Sequence, residues 1–162
     1  MRQLLEEVVR PTLQHLGRHS VAAEQMIMGT IAQESRGKYL RQLGGGPALG
    51  VCQMEPLTHR DIWLNYVRYK APLREQLLGM VCRSSADSVV TSGWPPNFEL
   101  IGNLPYAVAM CRVHYLRVSA PLPAAGDVAG LAAYWKAHYN TPAGKGTEAE
   151  FIANFPRHLW GL

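Results

Sequence analysis

Two apolar segments constrain the possible folds of this chain more than any other feature. The run Val21–Glu34 is rich in Ala, Met, Ile and Gln and contains no proline, and Leu104–Leu116 is apolar on nearly all sides. Neither segment approaches the roughly 18 apolar residues that a membrane-spanning helix needs. We therefore predict two buried helices inside one domain, with Gly29 marking a close contact between neighbouring elements.

Shorter patterns predict more helices around these two. An apolar stripe predicts an amphipathic helix that ends near Gly17, and Ser20 is placed to cap the helix that follows it. Further helices are predicted from apolar spacing and proline positions at Pro56, at 72–82, at 128–139 and at 148–155. Six or seven helices with little strand content indicate a mainly α (α-rich α+β) domain.

The remaining segments are predicted to be loops. Ser35–Cys52 contains the breaker Gly44-Gly45-Gly46-Pro47, and the stretch Ser84–Asn97 is polar and runs through Gly-Trp-Pro-Pro. At 162 residues the chain is predicted to be a single domain. We divide it into an N-terminal helix (1–19), a motif-bearing core (20–141) and a C-terminal segment (142–162).

Composition argues against several classes of protein. With 48% hydrophobic and 17% charged residues, the chain does not fit intrinsic disorder. The net charge of +4 favours anionic partners but is too small and scattered to indicate nucleic-acid binding. The first residues lack the order of a signal peptide. The three cysteines and six histidines show no metal-ligand spacing, so we expect no metal and no cofactor.

Only twelve carboxylates are present, and Glu34 is the one best placed to act as an acid. It follows Ile31-Ala32-Gln33 at the end of a predicted buried helix, where the helix dipole disfavours a negative charge. Apolar neighbours disfavour ionisation as well. Both effects raise the pKa of a carboxyl group, as a general acid near neutral pH requires. An ordinary exposed glutamate at a helix end is the alternative.

Three short motifs occur in an informative order. Glu34-Ser35 is followed by Gly50-Val51-Cys52-Gln53-Met54-Glu55-Pro56-Leu57-Thr58, and much later by Tyr139-Asn140-Thr141. This order resembles the soluble lytic transglycosylase and goose-type lysozyme families, whose pattern is Glu-Ser, then Gly-x-x-Gln-(Met/Ile)-x-Pro-x-Thr, then Tyr-Asn. The resemblance covers roughly residues 22–141 and implies a lysozyme-like fold with a substrate cleft.

The resemblance also implies a role for each matching residue. Glu34 would protonate the glycosidic oxygen between N-acetylmuramic acid and N-acetylglucosamine and then act as a base, giving a 1,6-anhydro product. Ser35 would orient the carboxylate or a sugar group, or simply cap the helix end. Gln53 would donate a hydrogen bond to substrate or brace its loop, and Met54 would line the cleft or pack in the core. Tyr139 and Asn140 would lie opposite the acid, the hydroxyl bonding the acid or the developing charge.

The chain departs from the family pattern at two places. Glu55 occupies a position that is not usually acidic, where it would be a second cleft carboxylate favouring water as the nucleophile, or a charge at a helix N-terminus. The glycine that closely follows Tyr-Asn in the family is delayed here to Gly144. An earlier Tyr134 also fits the apolar half of the third motif, but Trp135 replaces its Asn.

The resemblance therefore predicts a lytic transglycosylase or muramidase-type lysozyme acting in bacteriophage wall penetration or lysis. Its partners would be peptidoglycan glycan strands, with other virion proteins as a further class and with neither nucleic acid nor stable membrane insertion. It would be made in the host cytoplasm and act from the virion or in the host periplasm. The alternatives are a virion structural or ejection component that keeps the fold as a wall-binding module, a hydrolase that uses Glu55, and a small helical nucleic-acid binder.

Overall fold

The computed structural model describes residues 1–140 and 144–162 and is mainly α, as the sequence predicts. Pairing between extended residues is limited, in the described ranges, to isolated bridges of Leu49 with Arg41 and with Met54. No helix within these ranges is long and apolar enough to cross a bilayer. The junction of the predicted core and C-terminal segment, at 141–142, lies outside the described residues.

The α-helices are short apart from two. In chain order they are α1 (Arg2–Leu4), α2 (Arg10–His15), α3 (Val21–Glu34), α4 (Pro56–Asn65), α5 (Ala71–Leu78), α6 (Arg83–Ser92), α7 (Glu99–Gly102), α8 (Leu104–Leu116), α9 (Val128–Trp135) and α10 (Glu148–Asn154). Segments of π-helix join α1 to α2 (Leu5–Val9) and extend α9 (Lys136–Asn140). Single 3₁₀ turns occupy Val67–Tyr69 and Arg157–Leu159.

Helix α3 is the buried helix that its composition predicts. The Ser20 hydroxyl accepts a hydrogen bond from the Ala23 amide (3.1 Å) and so caps the first turn. All residues from Ala23 to Ala32 are buried. Gly29 is required by close packing, because a Cβ there would overlap the Phe151 ring of α10. The predicted close contact at Gly29 is confirmed.

Helix α8 contributes to two clusters of apolar side chains. The first apolar cluster is built mainly from α3, α9, the π-helical segment before α2, and the C-terminal aromatic residues, and the second mainly from α4, α5 and the end of the 35–54 loop. One face of α8 supplies Ala107, Val108, Cys111 and Tyr115 to the first cluster. The other face supplies Tyr106, Ala109, Met110 and Val113 to the second.

A buried polar chain joins α4 to α8 inside the second apolar cluster. The Trp63 indole N–H donates to the Tyr106 hydroxyl oxygen (2.8 Å), which lies 2.7 Å from Nε2 of His59. Nδ1 of His59 lies 2.9 Å from the Asn97 amide oxygen. Burial lowers the pKa of His59 to about 4, although the Asn97 contact opposes this shift. The neutral ring therefore completes the chain by donating to Asn97 and accepting from Tyr106.

The prediction of a loop over Ser84–Asn97 is wrong for its first half, which forms α6. This helix is polar on average and buries only Ser85 and Val89, so its composition favoured a loop although its few apolar residues share one face. Its end was signalled by Gly93, which has a φ of +89° and closes the helix in the left-handed region.

The loop that follows α3 is held by a tight turn at Gly50. This residue has a φ of +71°, and a Cβ on it would overlap the backbone carbonyl oxygen of Leu100. The Gly50 amide donates to the Leu40 carbonyl (2.9 Å), which closes the loop on itself. Only glycine satisfies both the backbone angle and the close approach.

We expect Gly50→Ala to lower the free energy of unfolding by about 2–4 kcal/mol, because it adds left-handed strain to a clash with backbone. Thermal or urea unfolding measures this change. Gly102→Ala is the matched control, since its Cβ would meet nothing within 4 Å. Equal stability of the two variants would contradict the packing described for Gly50.

Candidate active site

A cavity of about 670 Å³ collects most of the predicted site residues. Residues from all three motifs contribute to it, and so do Gly144, Lys145 and Gly146. Its lining is Glu34, Gln42, Ala48, Gln53, Met54, Glu55, Thr58, His114, His138, Tyr139, Asn140, Gly144, Lys145 and Gly146. The structure thus brings together six of the seven predicted site residues, and Ser35 is the exception.

Glu34 lies at the last position of α3, half-buried against the side of the cavity. Its Oε1 accepts a hydrogen bond from the indole N–H of Trp135 (3.0 Å). Burial raises the pKa of Glu34 to about 7, and the Trp135 hydrogen bond opposes this rise. The direction agrees with the sequence expectation. The dominant cause is the loss of water around the carboxyl group.

Trp135 is the partner that sequence reasoning missed, because this position holds Asn in the family motif and a tryptophan there gives no match. The side chain is fully buried and packs against Phe151, with ring centroids 5.4 Å apart. Its spacing from Tyr139 was the available signal. Residues four apart lie on the same face of a helix, so a motif at Tyr139 places Trp135 beside it.

Ser35 does not line this larger cavity. Its hydroxyl is buried, lies 2.6 Å from the Val51 carbonyl oxygen and 3.2 Å from that of Ile31, and accepts from the Gly37 amide. These are backbone partners. Of the two sequence readings of Ser35, the structure favours the cap at the helix end, and the same hydroxyl ties the end of α3 to the Gln53 loop.

Gln53 lies at the cavity with an unusual backbone. Its φ is +50°, a left-handed conformation that costs a residue with a side chain about 1 kcal/mol relative to glycine. The side-chain amide nitrogen of Gln53 donates to the Gly50 carbonyl oxygen (2.8 Å) and lies 3.5 Å from the Tyr39 carbonyl oxygen. The amide hydrogens therefore brace the loop, and the side-chain oxygen is the group left to meet a ligand. Of the two sequence readings of Gln53, the structure favours the amide that braces its loop.

The two residues after Gln53 differ in exposure. Met54 is buried in the second apolar cluster and also lines the cavity, so both predicted readings apply to it. Glu55 is exposed at the N-cap position of α4, and its side chain makes no capping hydrogen bond. A second carboxylate thus lines the same cavity as Glu34.

The π-helical segment Lys136–Asn140 forms another wall of the cavity and contributes His138, Tyr139 and Asn140 to its lining. The Tyr139 hydroxyl donates to the Cys52 carbonyl (2.7 Å), which replaces the predicted hydrogen bond from Tyr139 to the acid. The Lys136 ammonium group holds the wall by donating to the Asn140 side-chain oxygen (2.9 Å) and to the carbonyls of Gly144 (2.7 Å) and Gly146 (2.8 Å). Thr141 of the third motif lies outside the described residues. Tyr134 donates to the Ala120 carbonyl and does not line the cavity.

Two histidines line the cavity without having been predicted. Nε2 of His114 lies 2.8 Å from the His138 carbonyl oxygen and must donate to it, since a carbonyl only accepts. Burial lowers the pKa of His114. His114 lies in α8 and His138 in the π-helical segment after α9, so no local spacing indicated that both would line one cavity.

A second cavity of about 350 Å³ adjoins Glu34 on the side of the 35–54 loop. It is lined by Gln33, Glu34, Ser35, Arg36, Tyr39, Gln42, Leu43 and Gln53. Glu34, Gln42 and Gln53 border both cavities. A long ligand that reaches Glu34 therefore has room on two sides of the carboxyl group.

No cluster of three or more His, Cys, Asp or Glu side chains within 1–140 and 144–162 is arranged to hold a metal ion. Comparison with known proteins adds no assignment: no protein-family model, curated protein or solved structure matches the chain.

We expect Glu34→Gln to stabilise the protein above pH 7 and to have little effect at pH 4. The unfolded carboxyl ionises near its usual pKa of 4.5 and the folded one near 7, so stability of the unmodified protein falls as pH rises between these values. Glutamine keeps the acceptor for Trp135 and never ionises. Thermal unfolding from pH 4 to 8 should show a gain that grows to at most about 3 kcal/mol, and a gain independent of pH would contradict this assignment.

We expect Trp135→Phe to raise the pKa of Glu34 above 7, because it removes the hydrogen bond that favours the ionised form. An NMR titration of the Glu34 side-chain carbon measures this directly. Trp160→Phe is the control, since that indole lies by Glu24 and not by Glu34. A lowered pKa in Trp135→Phe would show that the vacated space hydrates the carboxyl group instead.

Proposed function

We propose that the chain is a peptidoglycan-cleaving enzyme of lysozyme-like fold, in which the larger cavity is the substrate cleft and Glu34 is the general acid. The observation that carries the proposal is a half-buried carboxyl group with a pKa of about 7 beside a cavity of about 670 Å³. This volume lies in the usual range for ligand sites. The proposal is further supported by the motif order Glu34-Ser35, Gly50–Thr58 and Tyr139-Asn140.

The hydrogen bond from Trp135 gives the two oxygens of Glu34 different roles. Oε1 accepts the indole N–H, so in the neutral acid the proton resides on Oε2. In the first step Oε2 gives this proton to the glycosidic oxygen as the bond from that oxygen to the muramoyl C1 breaks. The carboxylate that remains is stabilised by Trp135 and lies near the positive charge that develops on the sugar.

Two routes complete the reaction. In the transglycosylase route the Glu34 carboxylate takes the proton from the muramoyl 6-hydroxyl while that oxygen bonds to C1, which yields a 1,6-anhydro end and restores the acid. In the hydrolase route a second carboxylate activates water. Glu55 lines the same cavity and is the candidate for that role. We favour the transglycosylase route because Glu34 alone suffices for both proton transfers.

Neighbouring polar groups are suited to hold the sugar amides and hydroxyls. The Lys136 ammonium group donates to the side-chain oxygen of Asn140. The side-chain N–H groups of Asn140 are then left to donate to an N-acetyl carbonyl. The side-chain oxygen of Gln53 is oriented by the bonds of its nitrogen and accepts from a hydroxyl or an N–H. With bacterial wall strands as substrate, the enzyme would act from a phage virion or in the host periplasm.

We expect Glu34→Gln to reduce turnover of purified peptidoglycan by a factor of about 10³ or more, since it removes the proton donor of the first step. Release of soluble muropeptides measures the rate, and pelleting with insoluble peptidoglycan measures binding. Turnover by Glu34→Gln equal to that of the unmodified protein would contradict the role of Glu34. Binding without turnover by either protein would favour the alternative of a wall-binding module.

Mass spectrometry of the released muropeptides distinguishes the two routes. We expect 1,6-anhydro ends, with Glu55→Gln retaining most of the activity. Reducing ends, together with loss of turnover in Glu55→Gln, would assign the reaction to a hydrolase.

A further inference from the structure

The structure describes two residues other than glycine with positive φ, and both border the smaller cavity beside Glu34. They are Arg36, with a φ of +55°, and Gln53, with a φ of +50°. Glycine adopts this conformation without strain, whereas a residue with a side chain does so at a cost. Side chains kept at such positions next to a candidate acid indicate that the side chains themselves are used.

The loop beside this cavity is positively charged, and Arg36 is the cation of this loop that lines the cavity. No Asp or Glu lies in the sequence between Glu34 and Glu55, whereas this stretch contains Arg36, Lys38 and Arg41. All three cations are exposed. The ion pairs found in the described part of the chain leave the Arg36 guanidinium unpaired. An exposed cationic loop of this kind fits an anionic group on a ligand that enters the cavity.

Arg36 is separated from the proton chemistry of Glu34. The pKa of Glu34 is set by burial and by Trp135, and no cation contributes to it. The guanidinium therefore does not pair with the acid, although both groups border the same cavity. Tyr39 and Leu43, which are 40% and 68% exposed, supply apolar surface on the same side.

We propose that the smaller cavity is an anion subsite in which Arg36 binds a carboxylate of the glycan substrate. This inference rests on the proposed function. Peptidoglycan offers two sources of such a group: the lactyl carboxylate of muramic acid where the peptide has been removed, and the carboxylates of the attached peptide stems. Arginine suits either source, since its planar fork of N–H donors matches a carboxylate with two parallel hydrogen bonds.

Four soluble substrates separate these sources. They are strands that carry stems, strands stripped of stems by an amidase, and each of these after its carboxylates have been converted to neutral amides. Arg36→Gly is the variant of choice, because glycine removes the guanidinium and also relieves the left-handed strain. We expect it to lower kcat/KM about tenfold, through KM, on a carboxylate-bearing substrate. On the amidated substrates its kcat/KM should match that of the unmodified protein.

The source is identified by the substrate on which the effect appears: strands with stems indicate a stem carboxylate, and stripped strands indicate the lactyl group. The thermal midpoint of Arg36→Gly should equal or exceed that of the unmodified protein. Arg74→Met removes one positive charge from α5, away from both cavities, and should leave all four rates unchanged.

A loss of equal size on amidated and carboxylate-bearing strands, or no loss on any of them, would overturn the anion subsite while leaving the proposed function intact. Failure of the unmodified protein to cleave any of the four substrates would overturn the proposed function, and the subsite with it.

Discussion

The hydrogen bond between the Ser35 hydroxyl and the Val51 carbonyl, 2.6 Å long, is the contact on which the geometry of the site depends. It fixes the end of α3, where Glu34 is carried, against the start of the Gln53 loop. The Tyr139 hydroxyl makes the corresponding contact with the Cys52 carbonyl, so the π-helical wall of the cavity is attached to the next residue of the same loop. Two adjacent carbonyls, in a turn made possible by Gly50, thus align all three sequence motifs.

Sequence reasoning was most successful where burial itself produced the pattern. Helices α3 and α8 are apolar on nearly all sides, the Ser20 cap has a specific residue signature, and the raised pKa of Glu34 follows from its place at the end of a buried helix. It failed for α6, whose residues are polar on average, so that its few apolar positions were outweighed by composition. Side-chain direction was also beyond its reach: Ser35 and Tyr139 are engaged by backbone carbonyls that no spacing rule reveals.

Trp135 and Arg36 show two further limits of a one-dimensional reading. Trp135 does not match the family motif. It reaches Glu34 because it lies one turn before Tyr139, on the same face of α9 and its π-helical extension. Nothing in the sequence separates Arg36 from the neighbouring loop cations, and its backbone angle is what sets it apart. Both became visible through properties of the folded chain, namely helical phase and φ, which depend on the packing of distant segments.

The two apolar clusters that share α8 give the molecule a property that extends beyond the site. The Gln53 loop crosses from one cluster to the other, since Cys52 belongs to the first and Met54 to the second. A polymer seated beside Gln53 would therefore touch both halves of the core at the line where they meet. By thermodynamic linkage, such a ligand would protect the whole domain against unfolding and proteolysis, including the second apolar cluster, to which the helix that carries Glu34 contributes no side chain.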